Sequence, residues 1–437
     1  MFNLEYSELK RSQLLGLGSF QFLAFFRRLL IYSFLSIYLV KVLGLNTTEL
    51  TLIGTLPMVT SATAQSFLWG PLLDKIQKSH WFVALGEMTA AILHVITFFA
   101  LNYMLDKGEY HKAGWVVIIC FVFIEFPWSA SNVGWSAIIA ERTKSNEQTR
   151  LNGQLSIIGG IGGIVGAQIG GRYYRGGDGF TNGTLFFIAA VIMLFSALAI
   201  IKSIHSDDFH YTHKELNRAK MLKLSDCDPA ILRKFALFMV ALAIINFASN
   251  GLFLITNVYL VDAQGYNATD AQIALYVNVR SLFAMIAGIA LGSKFLKVSD
   301  NKLMIFATIS ASIAQLWLVF APSFYYVLFS SALFGLTYVI IQVSSYSIVA
   351  DIIPPEFKGR LFGIYNATFF LSWGIGGTVL FGPLTDILIS QGFTTVVAYK
   401  ISFLTACILI IIGLAVLVKF IRKTYLDTQL VTQELSV

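Results

Sequence analysis

Residues 38–49 read YLVKVLGLNTTE, and residues 259–270 read YLVDAQGYNATD. Tyr38 matches Tyr259, Gly44 matches Gly265, Asn46 matches Asn267, Thr48 matches Thr269 and Glu49 matches Asp270, all at one constant offset. A second echo joins Glu141–Gly153 (ERTKSNEQTRLNG) to Asp351–Gly363 (DIIPPEFKGRLFG), with Arg150 over Arg360 and Gly153 over Gly363. Loop signatures repeated at such a distance mark a chain built from two copies of one unit.

What lies between these loops is apolar. The chain has 437 residues, of which 56% are hydrophobic and only 13% charged, and its mean hydropathy is +0.72. A soluble domain carries about 25% charged residues. Residues 183–201, 235–256 and 401–420 are near or beyond the ~20 residues that cross a ~30 Å hydrocarbon layer. These numbers describe a polytopic helical membrane protein. They exclude a soluble enzyme, a nucleic-acid-binding protein, a secreted disulfide scaffold and a disordered hub. Cys120, Cys227 and Cys407 offer neither a disulfide framework nor metal-ligand spacing.

Polar and Gly/Pro-rich breaks divide the apolar sequence into twelve predicted spans. They run over 14–40, 49–73, 81–103, 113–139, 151–173, 183–203, 233–261, 269–293, 302–321, 324–351, 360–385 and 398–420. No cleavable signal precedes the first, and Lys10 and Arg11 favour a cytoplasmic N-terminus. With that orientation, 22 Lys and Arg fall on cytoplasmic segments, 6 on external ones, and Arg27, Arg28 and Arg280 within spans. The asymmetry supports the count and puts both termini in the cytoplasm of a plasma-membrane protein. The expected organisation is a six-helix half over residues 1–203, a linker over 204–232, and a second half over 233–437 that ends in a cytoplasmic tail. Parallel six-helix repeats are one architecture of alternating-access transport.

The loop after the second span reads Gly70-Pro71-Leu72-Leu73-Asp74-Lys75, then Lys78. It resembles the G-x-x-x-D-[RK] signature of the major facilitator superfamily, without the usual second glycine. The matching loop of the second half, Gly292 to Lys297, puts Leu296 where the aspartate would stand. The resemblance covers nearly the whole chain. It implies that Asp74, with Gly70 and Lys75, faces the start of span eleven at Arg360. A carboxylate there would meet a helix N-terminus and act as a conformational latch.

Charges at mid-span are the most informative residues. Arg27 and Arg28 lie in span one, Glu125 in span four and Arg280 in span eight. At ~1.5 Å per residue all fall near the bilayer centre, where an unpaired charge costs at least ~2.5–3.5 kcal/mol. Their retention implies a hydrated cavity between the halves, and the resemblance implies that spans one and four line it. One arginine of the adjacent pair is expected to face it, since neighbours on a helix point ~100° apart. Either Arg27 or Arg28 could then pair with Glu125.

Two readings follow. Arginines from both halves could clamp a carboxylate or phosphate ester, or Glu125 could carry a coupling proton. Glu87 and His94 share a face of span three and are weaker proton candidates. Asn246, Asn250, Tyr338, Gln342, Trp128 and Trp373 supply polar and aromatic walls. The glycines of span five (Gly159, Gly163, Gly166, Gly170) and of span eleven form flat faces on which the halves are expected to slide. His205, His210 and His213 near Asp207 and Asp208 read as a charged linker, with no metal site. Asn46, Asn182 and Asn267 match the glycosylation pattern, although helix capping explains Asn46 and Asn267 as well.

The expectation is a monomeric twelve-helix transporter without cofactor. Its partners are a small polar or anionic solute, protons or another coupling ion, and lipid. A lipophilic-cation exporter, a lipid translocase and a non-transporting sensor are the alternatives. No catalytic signature stands out.

Overall fold

The computed structural model describes residues 9–76, 78–142, 145–204, 227–292, 298–354 and 357–434. Helix dominates it, because a backbone in hydrocarbon must satisfy its own hydrogen bonds. Ten helices are long and apolar enough to cross a bilayer. They include span one (Arg11–Lys41), span three (Ser79–Leu105), span four (Tyr110–Arg142), span five (Ser145–Tyr174) and span six (Thr184–Ser203). In the second half they include span seven (Pro229–Leu260), span eight (Asp270–Gly292), span nine (Asp300–Phe320), span ten (Phe324–Ile352) and span twelve (Thr395–Glu434). Spans two (47–76) and eleven (358–390) complete twelve passes, so the last helix returns toward the face from which the first begins. Each of these two is interrupted by a π turn, at Gln65–Trp69 and at Gly377–Phe381.

Local chemistry sets the helix starts. Asn46 accepts from the Glu49 backbone N–H at 2.8 Å while Glu49 returns a bond to Asn46 N, a complete capping box. Asp228 caps span seven ahead of Pro229. The second repeat departs from the first at Asn267. That residue does not cap; it takes a left-handed backbone (φ 48°), and Thr269 shares hydrogen bonds with Gln272 instead. Residues 205–226 of the central linker, with His205, His210 and His213, lie outside the described residues.

Glycine sets how closely helices pack. A Cβ at Gly162, Gly166 or Gly170 would run into the carbonyl oxygens of Phe22, Phe26 and Leu30 on span one. Four-residue spacing keeps these glycines on one helix face. The stripe expected to let the halves slide is therefore mostly a seam within the first half. Gly159 and Gly163 also face span one, at Phe25 and Leu29. Only Gly160, against Met285, and Gly171, against Ala274, meet the other half from span five. Three glycines of span eleven do cross over: Gly374 sits on Thr55, Gly377 on Thr51 and Gly382 on Thr48 of span two, whereas Gly376 packs on Phe247 of its own half.

The apolar core is continuous at one end and divided at the other. One cluster joins Phe34, Tyr38 and Leu43 of the first half to Ile255, Tyr259 and Phe403 of the second. Toward the face that carries the termini it separates. Leu17, Phe20 and Ile138 pack in one cluster, and Phe238, Ile348 and Phe420 in another. The halves are thus sealed together on the far face and part toward the termini. Gly153, Gly288 and Gly363, all near the terminal face, have open space where a Cβ would stand.

Candidate functional site

Arg27 and Arg28 diverge as adjacent helical residues must. Arg27 stays inside the first half, 4% exposed, with its guanidinium carbon 4.6 Å from the ring centroid of Trp128. The indole N–H of Trp128 donates to Glu87 Oε1 at 2.8 Å, and the Ser131 hydroxyl donates to the same oxygen at 3.0 Å. Trp128 and Ser131 lie three residues apart on span four, so both reach span three from one face. Arg27 thus covers the face of Trp128 while Glu87 sits at its N–H edge. The second carboxylate oxygen of Glu87 and the Nε of Arg27 have no hydrogen-bond partner.

Glu125 lies one turn before Trp128 and is buried, with Ser61 of span two and the charges of Arg27 and Arg28 nearby. No ion pair within 4.0 Å joins it to either arginine. The expected pairing is not formed because both guanidinium groups lie over indole faces instead. The proton candidates of span three also separate. His94 binds the Ala90 carbonyl through Nδ1 at 2.8 Å and meets Phe121 edge-on. No hydrogen bond links it to Glu87.

Arg28 points across to the second half, 5.8 Å from the Trp373 ring centroid. Arg280 approaches the same ring at 6.0 Å, and stands 4.8 Å from Phe253 and 6.0 Å from Phe334. One indole therefore receives a guanidinium from each half. Phe253 and Tyr338 pack edge-on against it, at 4.8 and 6.2 Å. Ring faces attract cations by roughly 0.5–2 kcal/mol each, but they carry no net charge. Among the described residues neither Arg28 nor Arg280 has a carboxylate within ion-pair distance.

Beside Arg280 a small gap is lined by Asn246, Ser249, Asn250, Thr337 and Tyr338. Asn250 Nδ2 donates to Ser372 Oγ at 3.0 Å. Gln342 stands apart from this wall. It lies one turn beyond Tyr338, exposed, and its backbone carbonyl accepts from Tyr365 at 3.1 Å. The structure thus gathers Arg28, Arg280, Trp373, Tyr338 and Asn250 in one place. It puts Arg27, Trp128, Glu87 and Glu125 in a neighbouring group, and leaves Gln342 and His94 out of both.

Gly70 opens the short helix Gly70–Ile76, whose Lys75 is exposed. The side chains of Asp74 and Arg360 lie outside the described residues, and so does the latch expected between them. On the far face, contacts that sequence reasoning missed are well defined. Lys41 Nζ meets Asp262 Oδ2 at 3.0 Å. Asp386 of span eleven accepts from Thr47 N, Thr48 N and Thr48 Oγ1 at 3.0, 2.8 and 2.6 Å, closing over the N-terminus of span two. Asp270 accepts from Gly176 N at 3.1 Å. The repeat alignment carried the signal for the first, since Lys41 and Asp262 are equivalent positions with opposite charges. Phe253 and Phe334 gave no such signal among 37 phenylalanines.

A family model described as Major Facilitator Superfamily matches residues 17–377. No curated protein matches the sequence. Among solved structures, the nucleoside transporter NupG aligns with TM-score 0.68 and 13% identity, covering 94% of this chain and 99% of that one. A bacterial homolog of the human lysosomal transporter Spinster, inward-facing and unoccupied, aligns with TM-score 0.70 and 12% identity over 94% of this chain and 98% of that one. A POT family transporter in complex with a thioalcohol-conjugated peptide aligns with TM-score 0.64 and 15% identity over 93% and 96%. Identities this low establish a shared fold and nothing about substrate. The family match spans most of the chain and agrees with its twelve passes and internal repeat: the chain belongs to the major facilitator superfamily.

Proposed function

We propose that this transporter moves a small organic anion by alternating access, with proton binding at Glu125 coupled to solute binding. The observation that carries the reading is the placement of Arg28 and Arg280, one from each half, on the single ring of Trp373. Two cations without a carboxylate partner attract an anion, and their planar forks suit a carboxylate or phosphate ester. A solute bound between them touches both halves, so its binding energy is available to change how the halves sit. The same charges disfavour a lipophilic cation and argue against the drug-exporter reading.

Glu125 supports coupling because Arg27 and Arg28 are its charged neighbours. An anion drawn to Arg28 and a proton on Glu125 each compensate the other's charge. In this reading the termini are cytoplasmic and the far face is external, so the structure is an inward-open state of a plasma-membrane monomer. Its cytoplasmic closure would use Asp74 against the start of span eleven.

The test is flux. Purified protein in liposomes is given radiolabelled organic anions, organic cations and neutral solutes, with and without an inward proton gradient. Accumulation of an anion that rises with the gradient is expected. Transport restricted to cations, lipid scrambling, or no flux of any solute would overturn the reading in favour of an exporter, a translocase or a sensor.

A further inference from the structure

We infer that the second half holds a site for one small inorganic monovalent anion, a halide, at Arg280, Ser249 and Asn246. Two spaces meet at Arg280. The first is bounded by Asn246, Ser249 and Thr337; the second shares Ser249, Arg280 and Phe334 with it and is also bounded by Tyr276 and Gln315. Each admits roughly one water-sized guest, too little for an organic solute, which in the proposed reading would lie on the Arg28 side of Arg280.

The lining mixes these polar groups with apolar walls from Leu252, Phe253, Phe334 and Ile341, and contains no aspartate or glutamate among the described residues. Asn246 and Ser249 stand three residues apart on span seven and share a face. The amide nitrogen of Asn246, which is 2% exposed, and the hydroxyl of Ser249 have no hydrogen-bond partner. Polar groups buried this deeply are nearly always bonded. A water would satisfy the two donors but leave the guanidinium charge uncompensated. A metal cation would be repelled by that charge. A halide answers all three groups at once, since it accepts from both donors and neutralises Arg280. The inference does not depend on which solute is carried, and its test contains none.

Protein in lipid nanodiscs is melted in sodium chloride or sodium bromide and in sodium gluconate at equal ionic strength. A saturable rise in Tm with halide is expected, lost in Ser249→Ala and in Asn246→Leu. Identical curves in halide and gluconate, or a rise that survives both substitutions, would overturn the site. Should the variants fold poorly, crystals of the unaltered protein grown in bromide decide: an anomalous peak beside Arg280 supports the site, and no peak there refutes it. Organic-anion flux without a halide effect removes this site alone. A halide effect without flux removes only the transport reading.

Discussion

Lys41 and Asp262 occupy the same position in the two halves of the chain, and their side chains meet at 3.0 Å. The pseudo-twofold relation brings equivalent loops face to face, so opposite charges at one repeat position become partners. Asp262 is nearly buried while Lys41 is 38% exposed, and Thr395 Oγ1 and Gln264 N also donate to the carboxylate. The bridge fastens span one to span seven on the sealed face.

Asp262→Asn is therefore expected to loosen the far face. A half-exposed pair is worth about 0.5–1 kcal/mol, which corresponds to a two- to five-fold shift in the balance of open and closed states. Reaction of a membrane-impermeant maleimide with a cysteine introduced beside Gly382 should quicken by that factor. The charge-exchanged double variant, Lys41→Asp with Asp262→Lys, should restore the slow rate. Unchanged labelling in Asp262→Asn would show that the bridge does not hold the gate.

The same contact sets a pH dependence. Burial alone would raise the Asp262 carboxyl, but the bond from Lys41, aided by Gln264 N–H and Thr395, outweighs it and holds the group below its ordinary value. A depressed pKa means the contribution is complete above the free carboxylate value of about 3.9 and fades as pH falls through the lower bound value. Labelling of the far face should thus stay flat from pH 8 to 5. Loosening in the pH 5–8 window would assign the gate to another group.

Arg280→Gln should abolish anion uptake without loss of expression. Arg280→Lys should recover little, because a lysine ammonium lacks the planar fork that lies over Phe253 and Trp373. A drop of about tenfold or more in kcat/KM, equal to ~1.4 kcal/mol, is the expected reading in both. Undiminished uptake in Arg280→Gln would remove the clamp.

Glu125→Gln should keep solute exchange and lose accumulation driven by a pH gradient. Counterflow measured beside gradient-driven uptake separates the two. If accumulation survives, coupling lies elsewhere, and Glu87, with one unpartnered oxygen, is the next residue to change.

Gly166→Leu should destabilise the first half strongly, because the new side chain starts at the Phe26 carbonyl. A cost of about 1–3 kcal/mol or more from overpacking should appear as a clearly lower Tm. Gly153→Leu is the control, with open space at its Cβ, and should melt like the parent.

The sequence alone determined the twelve passes, the repeat and the presence of charges at mid-depth. Those properties are local: hydropathy over ~20 residues sets a span, and a fixed offset sets the symmetry. Tertiary structure decided the partners. Periodicity puts Arg27 and Arg28 about 100° apart, but only packing aimed one at Trp128 and the other at Trp373. It also turned most of the span-five glycines toward span one, left Gln342 off the pocket wall and joined Lys41 to Asp262. Such outcomes depend on the rotation of each helix about its axis and on distances between residues hundreds apart in the chain, and no local pattern encodes either.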